Sequence, residues 1–578
     1  MAEPVRYHIS LEHRRQHLVT VRVVVPADCA AEATLTLPCW TPGSYLRRDY
    51  VRHLQTISAV DATGAEVALT PIGGDTWQLP ATVDGPVTVT LELFANDLSV
   101  RTNSVDDTAA LIIPAATCLQ VAGATSRPHH VTVSPTSSQI SAHALLHAHD
   151  TDPDTFVADD YDHLVDAAFS VGTHATVTCD VDGVAHHVVW AGGTGLFDAE
   201  VATDAVTKLA RACQNVFDTP LPMGQYTFLV MTGETGSGGL EHRDGAVLHV
   251  PETTFTKPES IARFQSLVAH EYLHAWNVKR LTPTPLLNLR YDDVVRTTSL
   301  WFAEGFTAYY DGLLCVRAGL WDDERLLSRF SGIFTNLTHT PGTALQSLHD
   351  ASWRAPERQY RRDENAVNAM TEYYAHGSLV AFELDCLLRS ENPDGDGLDD
   401  LMRLMWGRFL HTGYTDEDVF WAAETLAGKT VANRLRQRVM NAGVAPADEL
   451  ADALHTLGLT LTSQRQTHGT LGVQIASTPP PAGVRLAAAF RGGPAWNAGL
   501  VGRDVILALN DTVVTPDTFE KVMAGLAPSD TITVSVLRHN RIDTCEVTLS
   551  PANLTYTISV DPTADGHAAF NRWLHRHT

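Results

Sequence analysis

Long apolar runs are missing from this chain of 578 residues. No uninterrupted stretch approaches the roughly 20 apolar residues that a membrane-crossing helix needs. The opening Met-Ala-Glu-Pro-Val-Arg-Tyr-His carries no apolar core of a secretory signal. Cysteine is scarce as well, with eight residues scattered without paired spacing. A chain of this size has no need of disulfide staples, so small buried thiols in a reducing, cytoplasmic compartment are expected. Basic charge is the third shortage. The 41 Lys and Arg against 67 Asp and Glu leave a net charge of −26, with no basic block or basic-aromatic stripe. Nucleic acid is therefore not an expected partner, nor is a membrane.

What is present is hydrophobic content of 44% in a long chain. That allows large cores, and length alone suggests about three or four domains.

The sharpest signal is Val268-Ala-His-Glu-Tyr-Leu-His-Ala-Trp-Asn277. Residues four apart on a helix lie one turn above each other, so His270 and His274 can aim their imidazoles at one point. That is the bite a zinc ion takes from its first two ligands. Glu271 projects about 100° round the helix, beside the metal, where it serves as a base rather than a ligand. With 27 histidines in the chain, the pattern alone could arise by chance. Its setting argues otherwise: Ile261, Phe264, Leu267 and Val268 form an apolar stripe leading to the histidines, with Ser260 as the expected N-cap.

Such a centre needs a third protein ligand and an open fourth position. Asp293 and Glu304 are the acidic candidates downstream. Asp293 sits in the polar run Arg290-Tyr-Asp-Asp and reads as a loop or cap residue. Glu304 lies within Leu300-Trp-Phe-Ala-Glu-Gly-Phe-Thr-Ala-Tyr-Tyr310, where an unpaired buried carboxylate would be costly and a metal removes the cost. Glu304 is the expected third ligand, with one zinc per chain.

These two segments together resemble the glycyl aminopeptidase family of gluzincin zinc metallopeptidases. The resemblance runs along nearly the whole chain. Leu37-Pro-Cys-Trp-Thr-Pro-Gly-Ser-Tyr-Leu46 is similar to the signature of that family's β-rich leading domain. Gly238-Gly-Leu-Glu-His242 resembles the glycine-glutamate element across the active site in related aminopeptidases. Tyr374-Ala-His-Gly377 is similar to the Tyr-x-Lys-Gly element of the wider clan, with His376 in place of lysine. The resemblance implies that Tyr374 donates to the developing oxyanion, with Tyr373 the alternative if the register slips by one. It implies too that Glu241, with Gly238 and Gly239, binds the substrate's free N-terminus, and that small first residues such as Gly or Ala are preferred.

The expected fold is multidomain α+β. Alternating runs such as Leu18 to Val25 and Val87 to Leu93 place a β-sandwich-like domain at 1–168. A mainly helical, thermolysin-like catalytic domain follows at 169–458, opened by strands at Ala175–Cys179 and His187–Trp190, a helix at Ala199–Phe217 and a strand at Tyr226–Met231. A helix is expected over Ser378–Leu388. The segment 466–556 carries Leu471-Gly-Val-Gln-Ile475 and then Gly493-Pro-Ala, Ala498-Gly-Leu500 and Asp504-Val-Ile506, which resemble a PDZ domain. Its carboxylate loop would be Leu471, Gly472 and Val473, holding peptide C-termini by strand addition; packing on the catalytic body is the alternative.

The expected activity is zinc-dependent hydrolysis of the N-terminal peptide bond. An endopeptidase with the same metal centre and an inactive PDZ-bearing interaction protein are the alternatives, and the intact metal motif argues against the second.

Overall fold

The computed structural model describes residues 2–134, 140–192, 194–236 and 238–576. The chain is multidomain α+β, with an N-terminal β-sheet domain, a helical central region and a C-terminal β-sheet region. It divides into two compact units. The first comprises Met1–Thr297, Tyr310–Trp321 and Met402–Thr415, and the second Thr298–Tyr309, Asp322–Leu401 and Asp416–Thr578. The helix Gly305–Arg317 runs from a segment of one into a segment of the other.

In the first unit, period-two alternation makes the leading sheets. Val19, Val21, Val23 and Val25 are buried on one face of Leu18–Val25, and lie opposite Leu93, Leu91, Val89 and Val87 of the antiparallel strand Val87–Phe94. Such cross-strand apolar pairs fix register, because a one-residue slip would turn every valine outward. Seven strands form the largest sheet, in which Val5–Ser10 pairs in parallel with His129–Ser134.

A five-stranded sheet follows, in the order His174–Val181, Val184–Ala191, Gln225–Gly233, Gly245–Pro251 and Gly238–His242. The short strand Gly238–His242 is antiparallel to its neighbour and forms the edge. The helices Ala199–Phe217 and Pro258–Leu273 pack together in this unit. Tyr272 Oη hydrogen-bonds His186 Nε2 at 2.7 Å, and Tyr226 Oη donates to the Glu271 carbonyl at 3.1 Å, so aromatic hydroxyls from helix and sheet seat the second helix.

The second unit is built on the helices Asp323–His339, Tyr373–Glu391 and Asp416–Met440, the last bent at Gly428. Strands Leu459–Arg465 and Leu554–Val560 pair with each other and flank a C-terminal sheet. That sheet has its own core, including Leu471, Val484, Ile506, Phe519, Val534 and Val547. Among the described residues, no helix is long and apolar enough to cross a membrane.

Several local expectations shift. The helix of the paired histidines starts at Pro258, not after Ser260, because proline's missing N–H costs nothing in the first turn. The helix expected over Ser378–Leu388 begins earlier, at Tyr373, because the Glu372 carboxylate caps it by accepting from the Tyr374 and Ala375 N–H groups. The strand expected over Leu471–Ile475 is two pieces, Gly469–Thr470 and Val473–Ile475, separated where Gly472 takes a positive φ of 67°.

Candidate active site and metal centre

His270 and His274 close the helix Pro258–Leu273, with the His274 N–H still bonded to the His270 carbonyl. Their ring centroids lie 4.8 Å apart at 86°. His274 Nδ1 is 2.7 Å from the Asn277 carbonyl oxygen. A carbonyl only accepts, so Nδ1 carries the proton and Nε2 keeps its lone pair for a metal. His270 Nδ1 lies 3.3 Å from Asp311 Oδ2, which fixes the same tautomer. The approach to the chain reversal after His274 thus orients one imidazole, and a distant helix orients the other.

Glu304 is 2% exposed and ends the helical turn Leu300–Ala303, directly before Gly305–Arg317. Asp311 follows seven residues later, two turns on along the same face. His270, His274 and Glu304 each offer a ligand atom, and these atoms all lie within 4.8 Å of one another. Two neutral imidazoles and one buried carboxylate are the donor set of a catalytic zinc site, so the residues fit the ion. Asp293 does not join them; its side chain is 58% exposed and lies 3.8 Å from Arg47.

Within the second unit, Glu304 and Tyr374 are neighbours. Gly305 and Gly377 let their helices touch, since a Cβ on Gly305 would lie 2.6 Å from Gly377 Cα. Burial, then the charge of Glu304, push the Tyr374 phenol well above its ordinary range, so the hydroxyl stays a neutral donor. Tyr373 stacks on it at 4.8 Å but is fully buried, with its hydroxyl 3.4 Å from Tyr360 Oη, whereas Tyr374 is partly open. His376 is buried and bonded to Thr371 Oγ1; burial, with Arg438 adding, lowers its pKa to about 4.

Within the first unit, the edge strand Gly238–His242 runs beside the histidine helix. Residues two apart share a strand face, and Gly239 and Glu241 both face the helix. A side chain at 239 would overlap the Glu271 carboxylate, so only glycine leaves room for it. Glu241, Glu271 and His274 form a second buried group whose candidate ligand atoms lie within 4.8 Å of one another. Glu241 is 4% exposed, and its Oε1 has no hydrogen-bond partner among the described residues. Arg101 Nη2 donates to the Gly239 carbonyl at 3.2 Å. Beyond Glu241, Asp166 pairs with Lys279 Nζ at 2.7 Å. Against the cost of burial, Lys279 and His242 hold Asp166 below the usual carboxylate range.

In the C-terminal sheet region, the Leu471 side chain lies in the core and its carbonyl accepts from the Ala495 N–H. The Gly472 carbonyl accepts from the Phe490 N–H, and Val473 opens an edge strand.

Asp311, Asn277, Arg101 and the Gly305–Gly377 contact escaped the sequence reading. Only Asp311 left a trace there, as an acid two helical turns after Glu304.

Residues 6–173 match the Peptidase M61 N-terminal domain, and residues 263–380 match the M61 glycyl aminopeptidase. An aminopeptidase N family protein from Idiomarina loihiensis has a similar structure, with TM-score 0.91 and 27% identity over 99% of this chain and 100% of that one. An M1 zinc metallopeptidase from Deinococcus radiodurans matches with TM-score 0.48 and 14% identity, over 77% of this chain and 95% of that one. None of the curated proteins compared matches the chain. With the His-His-Glu group, the match over residues 263–380 marks this chain as a zinc metallopeptidase with aminopeptidase activity, similar to the M61 glycyl aminopeptidases.

Proposed function

We propose that this chain releases small N-terminal residues, glycine or alanine, with His270, His274 and Glu304 holding one zinc, Glu271 as general base and Tyr374 as oxyanion donor. The observation that carries the reading is the convergence of the His-His-Glu group with two further buried carboxylates, Glu271 and Glu241. When bound, zinc supplies Lewis acidity and lowers the pKa of water to about 7. Glu271 accepts the proton of the attacking water and carries it to the leaving amine. Tyr374, kept neutral by burial and by Glu304, donates to the carbonyl oxygen as charge develops there.

Glu241 binds the substrate ammonium. Its buried Oε1 lacks a donor among the described residues, which supports a ligand cation at that point. Gly238 and Gly239 belong to an edge strand, so their backbone can pair with an extended peptide.

The three-domain partition at 1–168, 169–458 and 466–556, with a β-sandwich-like leading domain and a thermolysin-like catalytic domain, belongs to the same proposal. So does a PDZ identity for the last segment, with Leu471, Gly472 and Val473 as the loop for peptide C-termini. The edge position of Val473–Ile475 and the positive φ of Gly472 support it. The scattered cysteines support a cytoplasmic location.

Two substitutions test the assignment. His274→Ala should lose both zinc and activity. Glu271→Ala should keep stoichiometric zinc and lose roughly 10²–10⁴-fold in rate, as removal of a general base does. Zinc retained by the first variant or lost by the second contradicts the roles.

A further inference from the structure

Every residue from Leu37 to Tyr45 is buried, although Leu37–Tyr45 is a connection between strands and such segments ordinarily run over the surface. The connection is held from one side. The Cys39 N–H donates to the Tyr291 carbonyl at 2.8 Å, Trp40 Nε1 to the Arg290 carbonyl at 2.7 Å, and Arg47 Nη1 to the Asp292 carbonyl at 2.8 Å. The Ser44 N–H donates to the Thr41 carbonyl at 3.1 Å, closing a tight turn with Pro42 and Gly43 at its tip. Gly43 has φ of 81°, the conformation that the second central position of a Pro-Gly turn requires.

The tip presses on Glu241. A Cβ on Gly43 would lie 2.6 Å from Oε1 and 2.8 Å from both Cδ and Oε2. Beside this contact is a cavity of about 320 Å³, walled by Trp40, Pro42, Gly43 and Tyr45 and reached by Glu241 and Lys279. The Lys279 ammonium bonds Asp166 at 2.7 Å and is also attracted by the Glu241 charge, so the cavity beside Glu241 is an electrostatically mixed site. The cavity is bounded by Glu241 and not by Glu271. It therefore lies on the amino-terminal side of the bond to be cut.

We propose that the Trp40–Tyr45 loop of the leading β-domain is a substrate-binding element, which walls the cavity for the peptide's first residue and, through Gly43, fixes the Glu241 carboxylate by contact. This rests on the assignment of Glu241 to the substrate ammonium. Gly43 is a positioning residue, since it acts through Glu241. The ligand class is an α-ammonium with its small first side chain.

The test compares zinc-loaded wild type and Gly43→Ala on glycyl and alanyl anilides and on their N-acetylated forms, with zinc content and thermal unfolding measured for each variant. Gly43→Ala should raise KM for the free amines about tenfold or more and leave kcat within about threefold, the pattern of lost substrate binding. Because position 43 needs a positive φ, this substitution also strains the backbone. Glu241→Asp separates the two effects. Its shorter side chain withdraws from the new Cβ, so the double variant should bind better than the product of the single changes, whereas strain alone gives additivity. Tyr45→Leu alters the cavity wall without touching a positive-φ position, and should also raise KM for the free amines. An unchanged KM in Gly43→Ala and Tyr45→Leu, or additive singles, overturns the loop assignment alone. Equal wild-type cleavage of free and acetylated substrates overturns the Glu241 assignment, and the loop proposal with it.

Discussion

Gly305 and Gly377 touch through their backbones, with an added Cβ on Gly377 only 2.8 Å from Gly305 Cα. Glu304 precedes the first glycine by one residue and Tyr374 precedes the second by three. A helix crossing that only two glycines permit therefore sets Glu304 and the proposed oxyanion donor Tyr374 side by side.

Gly377→Ala should cost about 1–3 kcal/mol, the usual effect of overpacking a close contact. The helices must part, so kcat should fall further than the loss of folded protein accounts for. Thermal unfolding and steady-state kinetics on the same preparation measure both. A stable variant with wild-type kcat would show that the crossing does not position the two groups.

Asp311 holds the His270 ring from behind. Asp311→Asn should weaken zinc binding by roughly 10–100-fold, as loss of a carboxylate behind a ligating histidine does. Competition with a chelator reads this directly. The fold should hold, because the side chain's size is kept.

These two relationships mark where the sequence stopped being informative. His270, Glu271 and His274 were legible because helical spacing alone brings them together. Glu304 was legible because a carboxylate inside an aromatic run calls for a compensating charge. Asp311 and the Gly305–Gly377 contact depend on how separate segments pack, and no local period encodes that. The helix ends were displaced for local reasons that propensity underrates, a proline in a first turn and a glutamate capping from just outside. Gly472 interrupted an apparent strand because its positive φ turns the chain between two short pieces.

The C-terminal region gives a prediction that runs against the simple reading of a separable module. Residues beyond Pro551 return to the helices: the Tyr556 and Ile558 N–H groups donate to Thr335 Oγ1 and Ser331 Oγ, and Trp573 Nε1 donates to Tyr309 Oη and Asp385. His270, His274 and Glu304 all precede Gly469, so a truncation at that point leaves them in the chain. Truncation there also removes the buried Trp573, whose loss alone should cost about 3–5 kcal/mol. Truncation should therefore destabilise the helices, whereas excision of 467–552 with a short linker should not. Unfolding curves of the two deletions distinguish them; equal stability would show that the tail contributes nothing.

The most direct measurement is the ratio of kcat/KM for a glycyl peptide to that for its N-acetylated form, in wild type and in Glu241→Gln. Hydrogen bonds to a charged partner contribute about 1–3 kcal/mol. The wild type should therefore favour the free amine by roughly tenfold or more, as tenfold corresponds to about 1.4 kcal/mol. Glu241→Gln should lose most of that preference while keeping zinc. Equal wild-type cleavage of the two peptides, or a preference untouched by Glu241→Gln, would contradict recognition of the N-terminus by Glu241.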